Sequence, residues 1–167
     1  MKYVYQIILL STILLSVESA AIDTFAKIKQ HRPENLNLAN PTKSASGQLI
    51  AKYSLATSNI PLNEIHSWTL TLTKKNGQTI TGALVEISAD MPEHLHGMTT
   101  KPKVLETETS GEYLIKGMNF HMPGWWKITL DISGYGSRDL IRINAIVGED
   151  NADVDHTQHQ NKTHKHH

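Results

Sequence analysis

The stretch His66-Ser67-Trp68-Thr69-Leu70-Thr71-Leu72-Thr73 decides the fold. Trp68, Leu70 and Leu72 fall on one side of an extended chain and Thr69, Thr71 and Thr73 on the other, a period of two that a helix cannot reproduce. Downstream, Trp126, Ile128, Leu130 and Ile132 repeat the pattern with polar residues between them. Directly after the first stretch comes Lys75-Asn76-Gly77-Gln78, whose Asn-Gly pair is a hairpin signal, and Thr109-Ser110-Gly111-Glu112 is another. Reading outward from these anchors, residues 48–57, 67–73, 80–89, 104–109, 113–120, 125–133 and 140–147 form short runs rich in Ile, Val, Thr, Leu and Tyr. With no amphipathic helix among them, they predict an all-β fold, an immunoglobulin-like antiparallel β-sandwich of about seven strands. Trp68, Trp126 and Met118 are expected in its core.

The flanks differ in composition. Lys2, the apolar run from Val4 to Leu15 and the small residues Ser19-Ala20-Ala21 have the three-part pattern of a secretory signal peptide over residues 1–21, with Ile22 as the mature N-terminus. The run falls short of the roughly 20 apolar residues of a membrane span, so an exported, periplasmic protein is expected. An uncleaved segment tethering the chain to the inner membrane is the alternative. Residues 22–46 are polar and turn-rich and read as a flexible lead-in to a domain over 47–147. Residues 148–167 lack apolar side chains after Val154 and carry His156, His159, His164, His166 and His167. Their irregular spacing is unlike a purification tag and reads as a disordered, metal-collecting tail.

The 167 residues hold 16 Lys and Arg against 16 Asp and Glu. No basic patch for nucleic acid emerges from that balance. Ten His and no Cys are the unusual counts. Without Cys there are no disulfides, thiolate zinc sites, iron–sulfur clusters or thiol catalysis, and a soft metal ligand must be Met.

Two segments combine the remaining donors. Met91-Pro92-Glu93-His94-Leu95-His96-Gly97-Met98 follows one expected strand, and Asn119-Phe120-His121-Met122-Pro123-Gly124-Trp125-Trp126 ends another. In an extended backbone His94, His96 and Met98 would project from one side, although Pro92 and Gly97 favour a loop. Thioether sulfur suits copper(I) and is a poor ligand for zinc, calcium or magnesium, while imidazole accepts copper in both oxidation states, so copper is the metal to expect. A hydrolytic zinc site would need a positioned acid or base, for which Glu93 is the one nearby carboxylate. His31 is expected to be a surface residue without a role.

Read with His66-Ser67-Trp68-Thr69-Leu70, Gly82-Ala83, Thr100-Lys101-Pro102 and Gly111-Glu112-Tyr113, these segments resemble the YtkA-like and FixH-like family of small exported or membrane-tethered bacterial domains. The resemblance runs from about Leu62 to Ile132. It implies an immunoglobulin-like sandwich and a role in copper handling or cytochrome oxidase assembly. Carried over by position, the family's His and Met residues fall on His66, Met91, His94, His96, His121 and Met122. Met98 stands where relatives often have a plain apolar residue.

The expected function is therefore a non-enzymatic copper-binding protein that passes its metal to a copper-acceptor protein or oxidase subunit. The alternative is a non-metal interaction module of an envelope or oxidase assembly, in which Trp125 would be an exposed contact residue. A copper monooxygenase with a histidine brace would need His at the mature N-terminus, where cleavage leaves Ile22. No nucleotide or phosphate-binding fingerprint occurs.

Overall fold

The computed structural model describes residues 28–148. Nine strands and no helix are found among them: β1 (Thr42–Lys43), β2 (Leu49–Ser54), β3 (His66–Lys74), β4 (Leu84–Met91), β5 (His96–Gly97), β6 (Lys103–Glu106), β7 (Glu112–Met118), β8 (Gly124–Ser133) and β9 (Asp139–Val147). They form a five-stranded sheet in the order β1-β2-β3-β7-β6 and a four-stranded sheet in the order β5-β4-β8-β9. Every pairing between strands is antiparallel. Apart from the two-residue β1 and β5, seven strands remain. Their orders β2-β3-β7-β6 and β4-β8-β9 are those of the two sheets of an immunoglobulin-like sandwich.

The alternation read in the sequence sets the core. Trp68, Leu70 and Leu72 of β3 face Trp126, Ile128, Leu130 and Ile132 of β8, all fully buried, with Leu49, Tyr113, Ile115, Ile141 and Ile143 completing the layer. The sheets are pinned by aromatic rings where immunoglobulin domains place a disulfide. Trp68 meets Phe120 with centroids 5.9 Å apart, and Phe120 meets Trp126 edge-on at 5.1 Å. Tyr53 stacks on the other face of this group, 4.5 Å from Trp68.

One expected strand is divided. Residues 80–89 read as a single run, but Thr79 and Ile80 turn back onto β3, with Ile80 N–H donating to Leu72 O at 3.0 Å, and β4 begins only at Leu84 in the other sheet. Gly82, at φ +67°, makes the crossing, a backbone geometry that favours glycine. Its N–H donates to both carboxylate oxygens of Glu106, while the Tyr113 hydroxyl donates to Ile80 O and accepts from Ala83 N–H. Burial raises the pKa of Tyr113, and the Glu106 carboxylate adds to that rise, although the Ala83 N–H opposes both.

The described part of the polar stretch read as a flexible lead-in, residues 28–46, forms a strap. Gln30 N–H donates to Pro92 O (3.0 Å), Arg32 N–H to Glu93 Oε1 (3.3 Å) and Asn144 Nδ2 to Asn37 O (2.9 Å). Asn40 exchanges two hydrogen bonds with the Tyr53 backbone before β1 begins, so ordered structure starts well before residue 47. The strap also accounts for Trp125, which alternation places on the outer face of β8. Trp125 is 3% exposed rather than an exposed contact, and its Nε1 donates to the same Asn144 side chain that holds Asn37. The signal-peptide expectation over residues 1–21 and, apart from Gly148, the tail expectation over 148–167 fall outside the described residues.

Candidate metal centre

β3 and β9 run in opposite senses, yet the start of β3, the ends of β4 and β7, the start of β8 and the end of β9 meet at one end of the sandwich. Most of the His and Met residues singled out in the sequence lie at this end. β4 ends at Met91, and a tight turn follows in which the His94 and Leu95 amides both donate to Met91 O (3.1 and 2.9 Å). Leu95 has φ +60°, a left-handed geometry that costs an L-residue about 1–2 kcal/mol. The chain then pairs back as β5, with His96 opposite Met91 and Met98 N–H donating to Ala89 O. His94 therefore sits on an exposed turn and His96 half-buried on a strand, instead of both following one extended face.

The second segment arrives from β7. Phe120 is buried and bridges to Leu62, which places Asn119 and His121 on either side of a core residue. Trp126 Nε1 donates to Met122 O (2.9 Å) and fixes the return into β8. Gly124 starts that strand at φ +120°, and a Cβ there would lie 3.2 Å from Met91 Cε.

The two segments meet as a row of rings. His94 and His96 have centroids 5.8 Å apart, His96 and His121 5.4 Å, and His121 stands edge-on to Trp126 at 5.4 Å. An imidazole nitrogen binds a metal at about 2 Å, which puts the ring centroid roughly 3 Å from the ion and two such rings about 5–6 Å apart. The spacing of His96 with each neighbour thus fits a shared cation. The hydrogen bonding fits as well: Nδ1 of His96 and Nδ1 of His121 are buried without a partner. Buried polar atoms are nearly always paired, and a water or a cation that reached either nitrogen would satisfy it.

His66 contacts the other side of Phe120, centroids 5.6 Å apart. Its Nδ1 lies 2.9 Å from Glu64 O, a carbonyl that can only accept, so Nδ1 carries the proton. In the neutral ring the buried Nε2, also unpartnered, presents a lone pair. The same pattern orients metal-binding imidazoles through their outer hydrogen bond.

The thioethers are placed less uniformly. Met122 adjoins His121 and is half-buried, Met98 Sδ accepts the Asn119 N–H at 3.4 Å, and Met91 is fully buried in the core. Among the described residues no group of three or more His, Asp or Glu is arranged to hold a metal ion. The Glu93 carboxylate accepts a hydrogen bond from the strap. Sequence reasoning did not single out Asn119, whose Oδ1 is buried and unpartnered beside His121, because a lone Asn at a strand end carries no ligand signature.

A small β-sandwich with a His-rich, Met-flanked end is the class that fold and site define. Residues 50–131 match the model of the YtkA-like family. The match spans all seven candidate His and Met residues and stops before β9. No curated protein and no solved structure gives a match to the chain. Among the described residues no helix is long and apolar enough to cross a membrane.

Proposed function

We propose that this protein is an exported, periplasmic copper-binding protein without enzymatic activity, which serves as a copper chaperone or accessory factor in the assembly of a metalloenzyme such as cytochrome oxidase, as the FixH-like resemblance implies. His96 and His121 are the pair that would hold the ion, His94 is the next imidazole in the row, and Met122 is the nearest soft donor in sequence. The observation that carries this reading is the pair of buried, unpartnered Nδ1 atoms on rings 5.4 Å apart. Imidazole with thioether favours copper over zinc, calcium or magnesium. With few ligands at an edge of the sandwich, copper can pass to an acceptor by stepwise exchange and is never released as the free ion. Copper(I) titration against a chromogenic chelator tests it. Full tight binding after His94, His96 and His121 are all changed to Ala would overturn the proposal.

A second reading, a metal-free interaction module, draws on a groove of about 880 Å³ along the open edge between β4 and β6, bordered by Val85, Ile87, Val104 and Leu105. It requires that protein purified at submicromolar copper contain no stoichiometric metal, which elemental analysis decides.

A further inference from the structure

Among the described residues two strand edges lie open side by side along the groove between β4 and β6. β6 ends the five-stranded sheet, and β5 covers β4 only from Ala89 to Met91. In an antiparallel ladder every second residue turns its N–H and C=O away from the neighbouring strand. Ala89 O accepts from Met98 N–H, so Ile87 and Val85 turn their backbone groups toward the same open edge. On β6, Thr107 N–H donates to Glu112 O, which commits Lys103 and Leu105 to β7 and turns Val104 outward.

β4 runs toward the histidine end of the sandwich and β6 away from it. Their relative height is fixed by hydrogen bonds across the sandwich. The hydroxyl of Tyr113, the β7 partner of Glu106, accepts the Ala83 N–H, and Glu106 itself accepts from Gly82 N–H. Glu106 is therefore level with Ala83. Counting along the two antiparallel strands, Leu105 is level with Leu84, Val104 with Val85 and Lys103 with Glu86.

The charges on these edges are poorly placed within one copy. Lys103 lies opposite Lys116 and Glu86 opposite Asp131, and like charges directly across a ladder repel. Arg138 feels Glu86 but is committed to Asp131 through two hydrogen bonds. Leu84 and Leu105 on the outer faces are 60% and 52% exposed.

We propose that the occupant of this groove is a second copy of the chain. A twofold axis parallel to the strands sets β4 of each copy antiparallel to β6 of the other, in the register that the levels dictate. Leu84 then packs on Leu105 of the second copy, Val85 exchanges two hydrogen bonds with Val104 of the second copy, and Glu86 meets Lys103 of the second copy. Ile87 N–H donates to the Pro102 carbonyl of the second copy, where the missing proline N–H ends the ladder. Symmetry repeats every contact, so that each sheet of one sandwich continues into a sheet of the other. Pairing β4 with β4, Val85 against Ile87, would instead set Glu86 opposite itself, so charge selects the crossed arrangement. This occupant belongs to the groove of the second reading above and is independent of the copper site.

Analytical ultracentrifugation of the full chain, with a chelator present and over a concentration series into the high micromolar range, tests it. Metal content, which decides the second reading, has no part in the measurement. A reversible dimer is expected. Lys103→Glu places two like-charge pairs in the interface and should weaken association by on the order of tenfold, as should Glu86→Lys, and the two together should restore it. Hydrogen exchange at the Val85 and Val104 amides should slow with rising concentration in the parent chain and not in Lys103→Glu. A chain that stays monomeric throughout the series would overturn the inference and leave the edge to a strand of another protein. A dimer that Lys103→Glu leaves intact, or that the double substitution does not restore, would overturn it by placing the contact elsewhere.

Discussion

The two ends of the sandwich solve the same problem in opposite ways. Where β9 begins, Asp139 is buried and fully engaged: Ser46 donates to it through both hydroxyl and amide, and the Leu140 N–H adds another bond. Burial on its own would raise its pKa, but these bonds, with one from Ser44, outweigh it and hold the carboxylate below its usual range. The Gly82 crossing nearby is likewise satisfied by Glu106 and Tyr113. At the other end, the side chains of His66, Trp68, His96, Asn119 and His121 each carry a buried N or O atom without a partner, and no other described side chain does. A fold able to satisfy its polar groups at one end leaves side-chain polar atoms open at the other, which is the end where the proposed site lies.

Five variants would break or sharpen this contrast. Trp126→Ala removes the ring that joins the sheets and touches His121, and should cost about 3–5 kcal/mol in denaturant unfolding. A loss below about 1 kcal/mol would show that the aromatic pin is not what holds the ends together. Asp139→Ala strands the donors of Ser46 and Leu140 and should cost about 1–3 kcal/mol at neutral pH. Because the folded carboxylate has a lowered pKa, its contribution is present above the unfolded value near about 4 and is lost as pH falls through the folded pKa. Asp139→Asn should therefore flatten the stability profile below about pH 4, and an unchanged acid limb would contradict the satisfied end. At the open end the sign reverses: His121→Phe replaces an unpaired buried nitrogen with an apolar ring and should leave metal-free stability unchanged or raise it by up to about 1 kcal/mol. A clear loss of metal-free stability would mean the ring is already satisfied. Leu95→Asn, which tolerates φ +60°, should add a few tenths of a kcal/mol, roughly, and a destabilised variant would show that the Leu side chain matters more than the backbone geometry.

Much of this was legible in the sequence. The alternation at Trp68 and Trp126 located the two central strands and their inward faces, because a two-residue period has one structural meaning. The break at Gly82 was not legible, since Ile80 and Val85 both read as strand and only tertiary hydrogen bonds assign them to different sheets. His94, His96 and His121 could be grouped by residue type, but their spacing depended on the left-handed Leu95, for which Leu gives no signal. Trp125 misled for a related reason: its outward position follows from periodicity, while its burial follows from a strap whose polar composition resembles a linker.

The aromatic pin has one more consequence. Trp126 shares an edge-on contact with His121 on one side and with Phe120 on the other, deep in the hydrophobic layer. In a chain whose Trp68 and Trp125 are changed to Phe, its indole would be an optical gauge, with emission expected to respond both to separation of the sheets and to a change at the neighbouring imidazole.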